Sequence, residues 1–166
     1  LKSHKIIMSH NVDNLLENEI KKIINLYSHK NFDEALILSD KIIIKNKRIP
    51  FLWNLNGLIN LSLNKWEEAI FAFKKAIDCD SNFVEAFNNL GVAYSHLGKD
   101  SKALENYTKA IELKKDYANA HNNLASHHDD LGQYSNAVMH YTNALKFNPK
   151  HPHAQNNLIR LMNFFY

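Results

Sequence analysis

Glycine, proline and cysteine are all scarce: 4, 3 and 1 in 166 residues. So few chain-turning residues beside 45% hydrophobic content favour a helical array over a sheet protein. The single cysteine, Cys79, excludes an internal disulfide and suits a reducing, cytoplasmic setting. Placed late in a predicted helix, it reads as a small buried filler. Long apolar runs are missing as well. Ile6, Ile7 and Met8 are too short a run for a signal peptide or a membrane span, so a membrane is not an expected partner. Position 1 is Leu rather than Met, which suggests a fragment or a processed chain. Charge of one sign is weak, at a net +3, and the basic run is confined to Lys45–Arg48. Nucleic acid is therefore not an expected partner. There is no glycine-rich phosphate loop and no G-x-S-x-G elbow. The residues suggest no catalytic site, no cofactor and no enzyme activity.

What is present is a repeated helix pair. In Val84–Tyr117, Phe87, Leu90, Gly91 and Tyr94 fall at i, i+3, i+4 and i+7 and share one helical face. Ala103, Tyr107 and Ala110 keep the same spacing in a second helix, and Gly98 sits where the first must stop. A step of 34 residues carries Leu90, Gly91, Gly98, Ala103, Tyr107 and Ala110 onto Leu124, Ala125, Gly132, Ala137, Tyr141 and Ala144. The same step backward reaches Trp53, Gly57, Ala69, Phe73 and Ala76, and a further one reaches Phe32 and Ala35.

These positions resemble the tetratricopeptide repeat, W-x2-L-G-x2-Y followed by A-x3-F and a later Pro. The resemblance covers Leu16 to His151. It implies an all-α fold, a right-handed superhelical solenoid of antiparallel helix pairs with about four repeats plus a terminal helix. The repeats depart unequally from the pattern. The first has Glu19, Lys22 and Ile23 for Trp, Leu and Gly, and Ser39 for the aromatic. The second has Asn56 for Leu and Asn64 at the turn glycine; the fourth has His121 for Trp and His128 for Tyr.

The expected organisation is an extension at 1–13, an array at 14–151 (repeats 16–49, 50–83, 84–117 and 118–151), and a capping helix or partial fifth repeat at 152–166. Helices are expected at 14–28, 32–46, 50–63, 66–79, 84–97, 100–114, 118–131, 134–147 and 153–163, with Pro50 suiting a first helical turn. The tail Leu161, Met162, Phe164, Phe165, Tyr166 is apolar where a solenoid end is usually polar. It could cover the stack, precede further chain, or pair two copies into a homo-oligomer.

His127, His128, Asp129 and Asp130, with His121 and His96, form the densest group of possible metal ligands. Adjacent helical residues point about 100° apart, and the spacing lacks an i, i+4 His pair, so no metal site is read. His128 reads as a packed core ring, and Asp129 and Asp130 as a solvated face.

The binding surface is more informative. Numbering each repeat so that the Trp-like residue is position 4, positions 2, 6, 9 and 13 lie roughly opposite the core, on the concave side. Position 6 gives Lys21, Leu55, Asn89, Asn123 and Asn157; position 5, on the flank, gives Ile20, Asn54, Asn88, Asn122 and Asn156. Leu58, His96, Ser126 and Arg160 complete the groove. An amide matches both the N–H and the C=O of an extended chain. The series is similar to the asparagine ladder of the O-GlcNAc transferase repeat domain. A clamp for chaperone tails is not expected, because Ile20 and Ile24 stand where the family uses Lys and Asn. The expected function is a scaffold that binds a peptide or protein segment without catalysis. The alternative is the substrate-recruiting arm of a larger glycosyltransferase or sulfotransferase.

Overall fold

A computed structural model describes residues 2–165, with side chains for 14–163. Among these residues there are nine helices and no strand: α1 (Lys2–Ser28), α2 (Phe32–Lys45), α3 (Pro50–Ser62), α4 (Trp66–Cys79), α5 (Val84–His96), α6 (Asp100–Leu113), α7 (Ala118–Asp130), α8 (Tyr134–Phe147) and α9 (Ala154–Phe165). Eight of them begin and end within two residues of the expectation. α1 departs from it, starting at Lys2 rather than near Asn14. No Gly or Pro precedes position 50, and Asn or Asp inside a helix costs well under about 1 kcal/mol, so nothing local stops it.

The turn inside each pair is built the same way four times. Lys30, Asn64, Gly98 and Gly132, spaced by the repeat, all take positive φ, at 61°, 58°, 64° and 70°. One residue on, the backbone N–H reaches back to close a Schellman motif: Asn31 to Leu26 O, Lys65 to Asn60 O and Lys99 to Tyr94 O at 2.9 Å, Gln133 to His128 O at 2.8 Å. Only two of the four positions hold the glycine such a turn favours.

Within a pair the helices approach through one small and one large residue. A Cβ on Gly91 would lie 2.6 Å from the Tyr107 ring, and one on Gly57 would run into Phe73. Ala125 and Tyr141 occupy these positions in the fourth pair and are both fully buried. The first pair inverts the scheme, with Ile23 at the small position and Ser39 at the large one, both with no exposed surface.

Two compact units result, one through Asp80 and one from Ser81 onward. The first, α1 to α4, packs Ile23, Ala35, Ile42, Ile43, Leu52, Leu55 and Ile59 into its core. In the second, α5 to α9, Tyr94 and Tyr107 are buried with Ala103 and Ala110 on α5 and α6, and Ala125, Ala137, Tyr141, Ala144, Ala154 and Leu161 form a cluster across α7, α8 and α9. Leu161, expected in a sticky tail, is thus a core residue, while Ile159 and Met162 on the same helix are exposed. The side chains of Phe164 to Tyr166, on which a homo-oligomer contact was expected, lie outside the described residues. Cys79 is exposed rather than buried: it ends α4, one turn beyond the last buried residue, Ala76, and its Sγ–H faces Lys47 O at 3.4 Å.

Candidate functional site

The first helices of the second unit, α5, α7 and α9, carry the asparagine pairs. The structure separates the two residues of each pair. On α5 and α7 position 5 is buried, Asn88 keeping 4% of its surface and Asn122 7%, whereas on α9, which no further repeat covers among the described residues, Asn156 is exposed. Position 6 is half-buried at Asn89, Asn123 and Asn157. The cause is the next repeat, which lays its first helix beside the previous one and covers position 5 first.

Buried amides need partners, and these supply one another. Asn122 Nδ2 donates to Asn123 Oδ1 at 3.3 Å; Asn123 Nδ2 donates to Asn88 Oδ1 at 3.0 Å; Asn88 Nδ2 donates to Asn89 Oδ1 at 3.2 Å. The relay runs from α7 to α5: one donor, Asn123 Nδ2, crosses to the earlier pair, and within each pair the buried amide donates to its neighbour. Asn122 Oδ1 starts it without a hydrogen-bond partner.

The remaining expected site residues divide in two. Ser126 is half-buried, and His96, Asn156 and Arg160 are exposed on the same first helices. In the first unit Asn54 is buried and Leu55 belongs to the core, whereas Leu58 stays half-buried. Asn54, Leu55, Asn88 and Asn122, expected on or beside the open face, therefore lie beneath it.

Three side chains near the end of α7 also differ from expectation. His127, not His128, is the packed ring: its Nδ1 meets Ser95 Oγ at 3.0 Å, and its Nε2 lies 3.6 Å from Asp100 Oδ1. His128 is half-buried, with Nδ1 2.7 Å from Gln133 Oε1. Asp129, expected in solvent, keeps only 8% of its side-chain surface because Arg160 of α9 forms an ion pair over it. Asp130 alone is exposed.

Sequence reasoning missed the residue that starts α9. His151 is buried; its Nδ1 accepts the backbone N–H of Ala154 at 3.2 Å, and its Nε2 lies 3.0 Å from Asn119 Oδ1. The available signal was its place just before an apolar helical stretch, where a cap is needed. Burial lowers the His151 pKa, and the nearby His153 adds to this. Among the described residues, no group of three or more His, Cys, Asp or Glu side chains could hold a metal ion. No helix among them is long and apolar enough to cross a membrane.

Comparison with known proteins agrees with the repeat register. The tetratricopeptide repeat model matches 84–117 and 118–151, and a second TPR repeat model matches 57–98, so together they span more than half of the chain. The chain belongs to the tetratricopeptide repeat family, an all-α solenoid class. Among solved structures, TTC0263, a thermophilic TPR protein of Thermus thermophilus, shares 20% identity at a TM-score of 0.82, over 90% of this chain and 82% of that one. MamA shares 22% at a TM-score of 0.71, over 88% and 85%. The first TPR of Spaghetti (RPAP3), bound to the HSP90 peptide SRMEEVD, shares 22% at 0.66, over 72% and 94%. No curated protein sequence is significantly similar to the chain.

Proposed function

We propose that this chain is a non-catalytic interaction scaffold that holds an extended peptide or protein segment along the first-helix face of its second unit. The observation that carries this reading is the amide relay. A carboxamide has two N–H donors and two acceptor lone pairs. Asn123 uses one donor on Asn88 and one lone pair on Asn122, which leaves one of each in a fixed orientation. One N–H and one lone pair match the C=O and N–H of a passing backbone. First helices about 10 Å apart step by about three residues of extended chain. Asn157, Ser126, His96, Asn156 and Arg160 extend the polar face on either side. A peptide-bound relative, the RPAP3 repeat domain, supports peptide capture as a use of this fold.

The test is selection from a random peptide library, with the selected peptides measured by fluorescence anisotropy. Replacing Asn123 and Asn157 together by Ala removes two hydrogen bonds of roughly 0.5–1.5 kcal/mol each, so affinity should fall about tenfold. Selected peptides that bind the double variant as well as the parent protein would show that the amides take no part.

A further inference from the structure

In the fourth repeat, three positions carry histidine that carry other residues in every sister repeat. His121 stands where the others have Glu19, Trp53 and Phe87; His128 stands opposite Leu26, Asn60 and Tyr94; His140 stands opposite Leu38, Ala72 and Asn106. The fold does not require imidazole at any of them. Yet the three rings meet. His121 and His140 lie with ring centroids 5.4 Å apart, and His128 stacks on His140 at 5.7 Å with planes 11° apart.

The hydrogen bonds fix which nitrogens carry protons. His121 Nε2 lies 3.1 Å from Lys115 O, and a carbonyl only accepts, so Nε2 holds the proton and Nδ1 presents a lone pair. That lone pair faces His140 Nδ1 at 3.1 Å. A single proton, on His140, therefore bridges two nitrogens.

We propose that His121 and His140 form a two-histidine site for a borderline divalent metal ion of the Zn2+ type, bound through both Nδ1 atoms in place of the bridging proton. Two Zn–N bonds of about 2.0–2.1 Å at a tetrahedral angle set their nitrogens about 3.3 Å apart, close to the separation in the structure. The Lys115 carbonyl is the outer-shell acceptor that orients a metal-binding imidazole. On binding, the His140 proton moves from Nδ1 to Nε2, so both ligands stay neutral and no net proton is released. His128 and His140 line a groove bounded by Leu104, Thr108 and Ile111 of α6, which gives an ion a path inward. Because no third ligand side chain converges among the described residues, water completes the coordination.

The sister repeats supply fold-compatible variants. His121→Phe restores the residue type of Phe87, and His140→Asn that of Asn106. Tag-free protein is titrated with zinc chloride by calorimetry, with ring signals followed by 15N-detected imidazole NMR. One Zn2+ should bind saturably per chain and move the His121 and His140 signals. Each variant should keep its helical circular dichroism and lose more than the roughly 10–100-fold that removal of an outer-shell partner costs. Absence of saturable binding by the parent protein, or parent-like affinity in both variants, overturns the proposal.

Discussion

Asn123 Nδ2 donates to Asn88 Oδ1 at 3.0 Å, a bond between residues 35 positions apart that joins α7 to α5. It turns a surface motif into part of the packing between consecutive repeats. Removing Asn88 takes away the acceptor of Asn123 Nδ2 and a donor to Asn89 at once.

Asn88→Ala removes two hydrogen bonds of a buried amide, each worth about 0.5–1.5 kcal/mol, and should destabilise by about 1–3 kcal/mol. Asn123→Ala should cost about 1 kcal/mol, and the two should couple by at least about 0.5 kcal/mol in a double-mutant cycle. Urea denaturation of the four proteins measures this. Strictly additive losses would mean that the relay contributes nothing as a unit.

The inverted first pair makes a second prediction. Ser39→Phe beside an unchanged Ile23 should overpack and cost about 1–3 kcal/mol. Adding Ile23→Gly recreates the small-large arrangement of Gly57 with Phe73 and should recover part of that loss. Thermal melts of both singles and the double are the measurement. A double variant worse than the sum of its singles would show that the first pair is not built on the same contact.

Lys30 holds a left-handed backbone at φ 61° where two sister turns use glycine. An L-residue in that region carries a penalty of roughly 1–2 kcal/mol, partly offset by the greater chain entropy that Gly loses on folding. Lys30→Gly should thus stabilise by about 0.5–1 kcal/mol, seen as a higher urea midpoint. The same substitution at Lys99, the next residue in its own turn, should give no gain.

The His151 cap predicts a pH dependence. Its pKa is lowered on folding, so the unfolded chain binds the extra proton more readily. The contribution is complete above the unfolded value of about 6.5 and is lost as pH falls below it. Protonation puts a hydrogen on Nδ1, which then cannot accept from Ala154 N–H. The melting temperature should fall between about pH 7.5 and pH 5, and His151→Ala should melt lower at the upper end with a smaller change across that range. An equal pH response in the variant would remove His151 as the cause.

Most of the fold was legible from residue order. The 34-residue register, the helix limits and the glycine turns rest on interactions within a few residues of each other, and the 3.6-residue period shows them directly. Even the strained turn at Lys30 could have been read, because it stands one repeat before Asn64 and two before Gly98. The swap of Ile23 and Ser39 was also visible as a double departure from the pattern, and buried volume explains it.

What only the tertiary structure decided is the fate of side chains whose neighbours come from another helix. Asn88 and Asn89 are adjacent and chemically identical, and periodicity put Asn89 on the open side with Asn88 on its flank. The helix that arrives 34 residues later buries the first and leaves the second half-open. Asp129 looked solvated until α9 laid Arg160 over it, and His121 stood in the sequence only as a departure at the Trp position and a ligand candidate until α8 brought His140 to its Nδ1. Residue order sets which way a side chain leaves its own helix, because backbone geometry is local. Whether it then meets water, an amide or another imidazole depends on a helix elsewhere in the chain, and only the packed structure carries that information.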